Sequence, residues 1–233
     1  MKYGQFCPIA KATEILGERW TILIVRELLM GGRRFTDLQS GLGEISPALL
    51  TTRLRSLEQQ GLVSRRRISG QRGYEYFPTA ACEALKPIVV SLGEWGLNWA
   101  RHMLDDNDFD IDFLMFYLGR SVDPAQLPGG ATVIHFKFTD LKVQRDWWLL
   151  IEGEDVQICT NRPSRDVDVF FTTTVRTMHD VWMGDRTYRE AIDSDDLVIE
   201  GELALTRHVS RWLRPSVFAS APRSPIPMPL AAA

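Results

Sequence analysis

Two sets of residues in this chain have the types and spacing to do chemistry with a partner. The first is Arg65-Arg66-Arg67, with Arg72 a few residues on, across Ser69-Gly70-Gln71. Along an extended strand side chains alternate, so Arg65 and Arg67 share one face and Arg66 takes the other. Guanidinium groups pair with phosphate oxygens in fixed geometry, and arginines on a thin projection suit the backbone or minor groove of a nucleic acid. Taken alone, such a run is equally compatible with a solvated face. The second set lies between Ser46 and Gln60. At 100° per residue Leu50, Leu54 and Leu57 form one apolar stripe, and the opposite face carries Ala48, Thr52, Arg55 and Gln59, with Thr51 on its flank. Thr and Gln can hydrogen-bond base edges or phosphates, and Arg can pair with guanine through two bonds. Arg53 lies nearer the apolar side, where a phosphate contact or a structural ion pair suits it better. Ser46 as N-cap and Pro47 at the first helical position begin this helix, whose terminal N–H groups also suit a phosphate.

These residues need elements to hold them. Cys7 to Met30 has a helical apolar period, in two pieces meeting near Gly17 and closed by Gly31-Gly32. Phe35–Leu42 and Ser46–Gln60 follow as short helices, and Gly61 ends the second. Leu62–Ile68 and Tyr74–Pro78 are predicted strands joined by the glycine-bearing turn 69–73. Thr79 caps a predicted long helix to about Met103, striped with Leu85, Ile88, Val89, Leu92, Trp95 and Trp99; that stripe fits a dimer seam and an internal core equally well. The acidic break Asp105-Asp106-Asn107-Asp108 marks the expected boundary. Beyond it the pattern predicts a helix at 111–118, strands at 132–139, 146–151, 156–160 and 167–172 in a meander, and helices at 173–182 and 188–192. A last strand at 197–199 and a final helix at 202–213 complete it. The Pro- and Ala-rich residues 215–233 are expected to be a disordered tail. The expected domains are therefore 1–104, 110–214 and the tail, and the fold class is α+β: an N-terminal winged helix-turn-helix followed by an α+β domain.

Charge divides along the same line. Of the 233 residues, 1–104 carry 14 Lys+Arg against 9 Asp+Glu, and 105–233 carry 13 against 21. A basic half suits a polyanion and an acidic half does not. The three cysteines, Cys7, Cys82 and Cys159, are too far apart for a CxxC pair and do not make a disulfide framework. The four histidines have no metal-binding spacing, and no GxSxG, P-loop or GxGxxG is present, so neither metal nor cofactor nor enzymatic activity is expected. No apolar run is long enough to span a bilayer, and the opening residues have no signal-peptide core; the expectation is a cytoplasmic protein without a membrane partner.

The first half resembles the HxlR-type branch of the MarR-like winged-helix regulators. The resemblance is carried by Cys7-Pro8-Ile9, Leu16-Gly17-Glu18-Arg19-Trp20-Thr21, Arg34-Phe35-Thr36-Asp37-Leu38, Leu50-Thr51-Thr52-Arg53-Leu54, Gly61-Leu62-Val63, Tyr74-Glu75-Tyr76 and Trp95-Gly96. It implies a transcriptional regulator, with repression the usual direction, that binds a palindromic double-stranded DNA operator as a homodimer through terminal helices. The candidate DNA contacts are Ser46, Pro47, Ala48, Thr51, Thr52, Arg53, Arg55, Gln59, Arg65, Arg67 and Arg72. Phe77-Pro78-Thr79 departs from the family's usual Leu-Thr. Cys7 stands where redox-responsive members keep a sensing thiol, which leaves a redox-sensing regulator as one alternative.

The second half is rich in aromatic residues, which serve either an ordinary core or an apolar pocket. It resembles sterol carrier protein type 2-like domains through Trp147-Trp148-Leu149-Leu150-Ile151, Trp182-Met183-Gly184-Asp185 and Leu197-Val198-Ile199-Glu200-Gly201. The resemblance implies a sheet with helices around an apolar tunnel, and a small hydrophobic ligand. Phe113, Phe116, Trp147, Phe170 and Trp182 are the candidate pocket residues. A ligand that biases DNA binding is one expectation; the rival is a lipid carrier whose first domain only dimerises.

Overall fold

The computed structural model describes residues 2–70, 72–105 and 108–223. Gln71 of the expected turn, Asp106-Asn107 of the acidic break and residues 224–233 of the expected tail lie outside them. The chain divides into two compact units, residues 1–95 and 96–233.

The first unit contains α1 (Pro8–Leu16), α2 (Thr21–Leu29), α3 (Phe35–Ser40), α4 (Pro47–Gln59), β1 (Val63–Arg67), β2 (Tyr74–Pro78) and α5 (Ala80–Glu83), and α6 (Lys86–Trp99) begins in it. Its core joins Ile24, Val25 and Leu28 of α2 to Leu38 of α3, to the α4 leucines, and to Val63 and Cys82. The break between α1 and α2 falls at Gly17, where an added Cβ would come within 2.6 Å of the Thr13 carbonyl oxygen. β1 and β2 pair antiparallel, with Arg65 opposite Tyr76 and Arg67 opposite Tyr74. The expected long helix after Thr79 is two helices. Pro87 has no N–H to give to the Glu83 carbonyl, so the ladder is interrupted where α5 stops and α6 starts. The α6 stripe also divides: Leu85 and Val89 pack on the core, whereas Ile88, Leu92 and Trp95 are exposed.

The second unit contains α7 (Ile111–Ser121), β3 (Ala131–Phe138), β4 (Asp146–Glu152), β5 (Asp155–Cys159), β6 (Val169–Thr173), α8 (Val175–Trp182), α9 (Tyr188–Asp193), β7 (Leu197–Gly201), α10 (Leu203–Thr206) and α11 (Val209–Trp212). The sheet order is β5-β4-β3-β6-β7. The helices supply Leu114, Met115, Leu118, Met178 and Trp212 to a core shared with Ile134, Phe136 and Phe138 of β3. Two of the expected elements differ. β6 does not continue the meander; it runs parallel to β3, with Phe136 beside Phe171. β5 already occupies the free side of β4, so the open edge for β6 is that of β3. Asp168 fixes this pairing, because its carboxylate accepts from the Val133 N–H at 2.8 Å and its own N–H donates to the Val133 carbonyl at 2.9 Å. The expected final helix is likewise two short ones, α10 and α11.

Of the expected tail, residues 215–223 are among those described, and they bond to residues 182–185. The Ser216 N–H donates to the Trp182 carbonyl at 2.8 Å, and Arg223 donates to the Met183 carbonyl at 2.7 Å and pairs with Asp185 at 3.3 Å. Pro215 and Pro222 bracket this docked stretch without removing any N–H it uses, and the other three prolines lie in the residues not described. Among the described residues no helix is long and apolar enough to cross a membrane.

Gly201 closes β7 against β6 at φ 134, and an added Cβ would lie 2.1 Å from the Asp168 carbonyl oxygen, the oxygen that accepts the Glu202 N–H at 3.1 Å. Gly201→Ala is expected to cost about 2–4 kcal/mol through strain and loss of this pairing. Urea unfolding followed by tryptophan fluorescence measures it; an unchanged midpoint would contradict the close approach.

Candidate nucleic-acid interface

The leucine stripe of α4 decides what its other side can do. Leu50, Leu54 and Leu57 are buried, each contributing on the order of 1.5–3 kcal/mol by leaving water. Ala48, Thr52, Arg55 and Gln59 are consequently exposed, and so are Ser46 and Pro47 at the helix start, while Thr51 and Arg53 are half-buried. Ser46 Oγ accepts from the Leu49 N–H at 3.3 Å, so the cap takes up one of the terminal donors. The hydroxyls of Thr51 and Thr52 donate to the carbonyls of Pro47 and Ala48 at 2.8 and 2.9 Å, which leaves their oxygens as acceptors toward a partner. Arg53 is engaged within the protein: it pairs with Glu18, and its Nε–H donates to the Arg19 carbonyl at 3.2 Å.

The wing presents Arg65, Arg66, Arg67 and Arg72, all exposed. Arg65 lies 4.5 Å from the Tyr74 ring centre and 3.5 Å from Glu58 of α4, and Arg66 lies 4.4 Å from the Phe77 ring centre. Stacking on a ring holds a guanidinium in place and leaves its edge N–H groups for a phosphate. Burial pushes the Tyr76 phenol up, against the opposing pull of Arg65.

Two further basic positions lie beside these candidates. Arg66, set aside in favour of its neighbours, is as exposed as they are. Arg33-Arg34 adds a third short pairing to the hairpin: the Tyr76 N–H donates to the Arg33 carbonyl at 2.8 Å, and Arg34 bridges Glu75. The basic pair directly after Gly31-Gly32 was the available signal.

In the second unit the five candidate pocket residues do not converge. Phe113, Phe116 and Trp182 gather around Tyr117, with ring centres 4.7, 5.5 and 5.6 Å from it. Trp147 is buried in the core on the inner face of the sheet. Phe170 is exposed on the opposite face, 5.6 Å from His135, which stacks on Trp148. Strand alternation separates Phe170 from Phe171, and it is Phe171 that packs on Phe136, at 4.7 Å. Among the described residues no group of three His, Cys, Asp or Glu side chains is placed to hold a metal.

Comparison with known proteins finds a match in each half of the chain. Residues 15–103 match the HxlR-like helix-turn-helix family and residues 119–214 match the SCP-2 sterol transfer family. The HTH-type transcriptional regulator YvaP of Bacillus subtilis is 37% identical over 101 residues, which is 42% of this chain and 94% of that protein. The HTH-type transcriptional regulator Rv3095 of Mycobacterium tuberculosis is 42% identical over 89 residues, 38% of this chain and 56% of that protein. The solved reduced form of the transcriptional regulator YodB from B. subtilis is 30% identical, covering 40% of this chain and 92% of that one at a TM-score of 0.36. The protein is thus of the helix-turn-helix class. The chain belongs to the HxlR-like helix-turn-helix family, and its C-terminal region is similar to the SCP-2 sterol transfer family.

The cysteines separate by environment. Cys7 is half-buried at the N-cap of α1, Cys159 is half-buried on β5, and Cys82 is fully buried in the first core. Burial pushes the Cys82 thiol up from 9.0 to about 11. The unfolded thiol therefore ionises first, and the stability Cys82 contributes is intact below pH 9 and is lost as pH rises through about 11. Urea midpoints of the native protein are expected to fall over that interval more steeply than those of Cys82→Ala. Parallel pH profiles would contradict the burial of this thiol.

Proposed function

We propose that this protein is a homodimeric one-component repressor, that its first unit binds a palindromic operator, and that its second unit takes a small apolar effector. The observation that carries the proposal is the conjunction of an exposed polar face on a Ser46-capped helix with a wing of exposed arginines tied to that helix through Arg65 and Glu58. The helix supplies base-edge chemistry through Thr52, Arg55 and Gln59, and the wing supplies phosphate or minor-groove chemistry through Arg65, Arg67 and Arg72. The exposed Ile88, Leu92 and Trp95 of α6 support dimerisation, since an apolar stripe of this kind is costly to leave in water. The aromatic group around Tyr117 and the SCP-2 match support an apolar ligand. Such a ligand controls the operator only if it binds the DNA-bound and free states unequally. The protein works in the cytoplasm, where its DNA is.

The test is binding of the full chain to the DNA upstream of its own gene. Arg55→Ala is expected to cost about 1–3 kcal/mol of operator affinity and to relax base preference at one position. Arg65→Ala/Arg67→Ala is expected to weaken all DNA sequences alike and to reduce the slope of log affinity against log salt by about 2. Wild-type binding no tighter than to random DNA, or full-strength binding by both variants, would contradict the proposal.

A further inference from the structure

Resting on the reading of the first unit as a DNA-binding domain, we infer that Glu18 and the turn 17–20 are positioning elements for α4, acting through Arg53. The leucine stripe fixes how deeply α4 sits on its core. Leu50, Leu54 and Leu57, with Leu49 partly buried beside them, set which face is exposed; a small residual rotation about the helix axis is enough to shift Arg55 and Gln59 against a groove. Arg53 lies between the buried and exposed faces, where a tether controls that rotation. Its guanidinium is used on two sides at once, by the Glu18 carboxylate and by the Arg19 carbonyl at 3.2 Å. Its side chain is only 20% exposed, so the guanidinium is turned toward these two acceptors rather than held out to solvent.

The acceptors are themselves held. Trp20 adopts φ 76, a left-handed conformation that bulky residues rarely take. Its ring packs on the first core, and its carbonyl accepts the Ile24 N–H at 2.9 Å. The Thr21 N–H closes the turn on the Glu18 carbonyl at 3.0 Å. On the other side, Gly17 fits against Thr13 with no space for a Cβ. The strained turn thus offers Glu18 and the Arg19 carbonyl as a fixed pair, and Arg53 docks α4 onto it. Strain of this kind persists where the surrounding structure over-determines it. Arg53 is a positioning residue for operator binding, and Glu18 acts through it.

The experiment measures operator affinity of the full-length protein by fluorescence anisotropy over a range of salt, with amide exchange of residues 47–54 in the DNA-free protein alongside. Glu18→Gln and Arg53→Gln are each expected to weaken operator binding roughly threefold to fivefold, the scale of a partly exposed ion pair. Both should leave the salt slope unchanged and lower the melting temperature by no more than about a few degrees, and the double variant should be no worse than the weaker single one. The exchanged pair Glu18→Lys/Arg53→Glu should recover part of the affinity that Arg53→Glu alone loses, because the ion pair is restored with its charges reversed although the bond to the Arg19 carbonyl is not. Exchange in residues 47–54 should quicken in Glu18→Gln. The inference is overturned if Arg53→Gln lowers the slope by about 0.9 while Glu18→Gln binds as well as wild type or better. It is equally overturned if the exchanged pair recovers nothing. The amide-exchange arm needs no DNA. If the wild type has no operator preference, the DNA-binding reading fails, and exchange alone decides whether Glu18 tethers α4.

Discussion

Burial of Leu50, Leu54 and Leu57 governs the first unit. Three leucines on one line of a helix of 13 residues pin that line to the core and commit the opposite line to solvent. Everything proposed for α4 depends on this commitment, because a side chain can meet a base edge only where the helix does not meet its own domain. The Ser46 cap and the turn that receives Arg53 add local control of the helix start and its rotation. The wing then extends the same surface, with β1 following α4 after only Gln60, Gly61 and Leu62 and with Arg65 reaching back to Glu58.

The second unit is built on a different constraint. Its sheet stays in register because Asp168 bonds Val133 through both main chain and carboxylate, and because Gly201 lets β7 come close behind. With that arrangement Phe136, Phe138 and Phe171 fill the inner face, and the aromatic group around Tyr117 is displaced to α7 and α8. The acidic balance of residues 105–233 keeps this unit an unfavourable neighbour for phosphate, which concentrates the candidate DNA contacts in the first.

Local features were the legible ones. The Ser46-Pro47 helix start, the leucine period of α4 and the Arg-bearing hairpin all follow from residues within a few positions of one another, and the structure has each of them. Pairings between distant segments were not legible. The parallel placement of β6 depends on which strand edge is free, and the Glu18 partner of Arg53 lies 35 residues away. Strand phase cannot be read from two adjacent phenylalanines without the register, which puts Phe171 on the inner face and the candidate Phe170 on the outer one. Pro87, by contrast, was visible in the sequence; the apolar stripe running through it masked the break that its missing N–H imposes. The tail expected over 215–233 rests on five prolines and a closing alanine run, and composition does not tell whether the N–H groups of 215–223 find carbonyls to dock on.

The central claim is that the α4 face enters a major groove in each half of a two-fold dimer. Hydroxyl-radical and methylation-protection footprinting of the full-length protein on its upstream DNA tests this most directly. The account predicts two protected major-groove segments related by two-fold symmetry, with centres separated by about one helical turn (roughly 10 base pairs) or a multiple of it. It also predicts flanking backbone protection from the wings. Uniform protection without symmetry, or backbone protection with every guanine N7 still reactive, would contradict it.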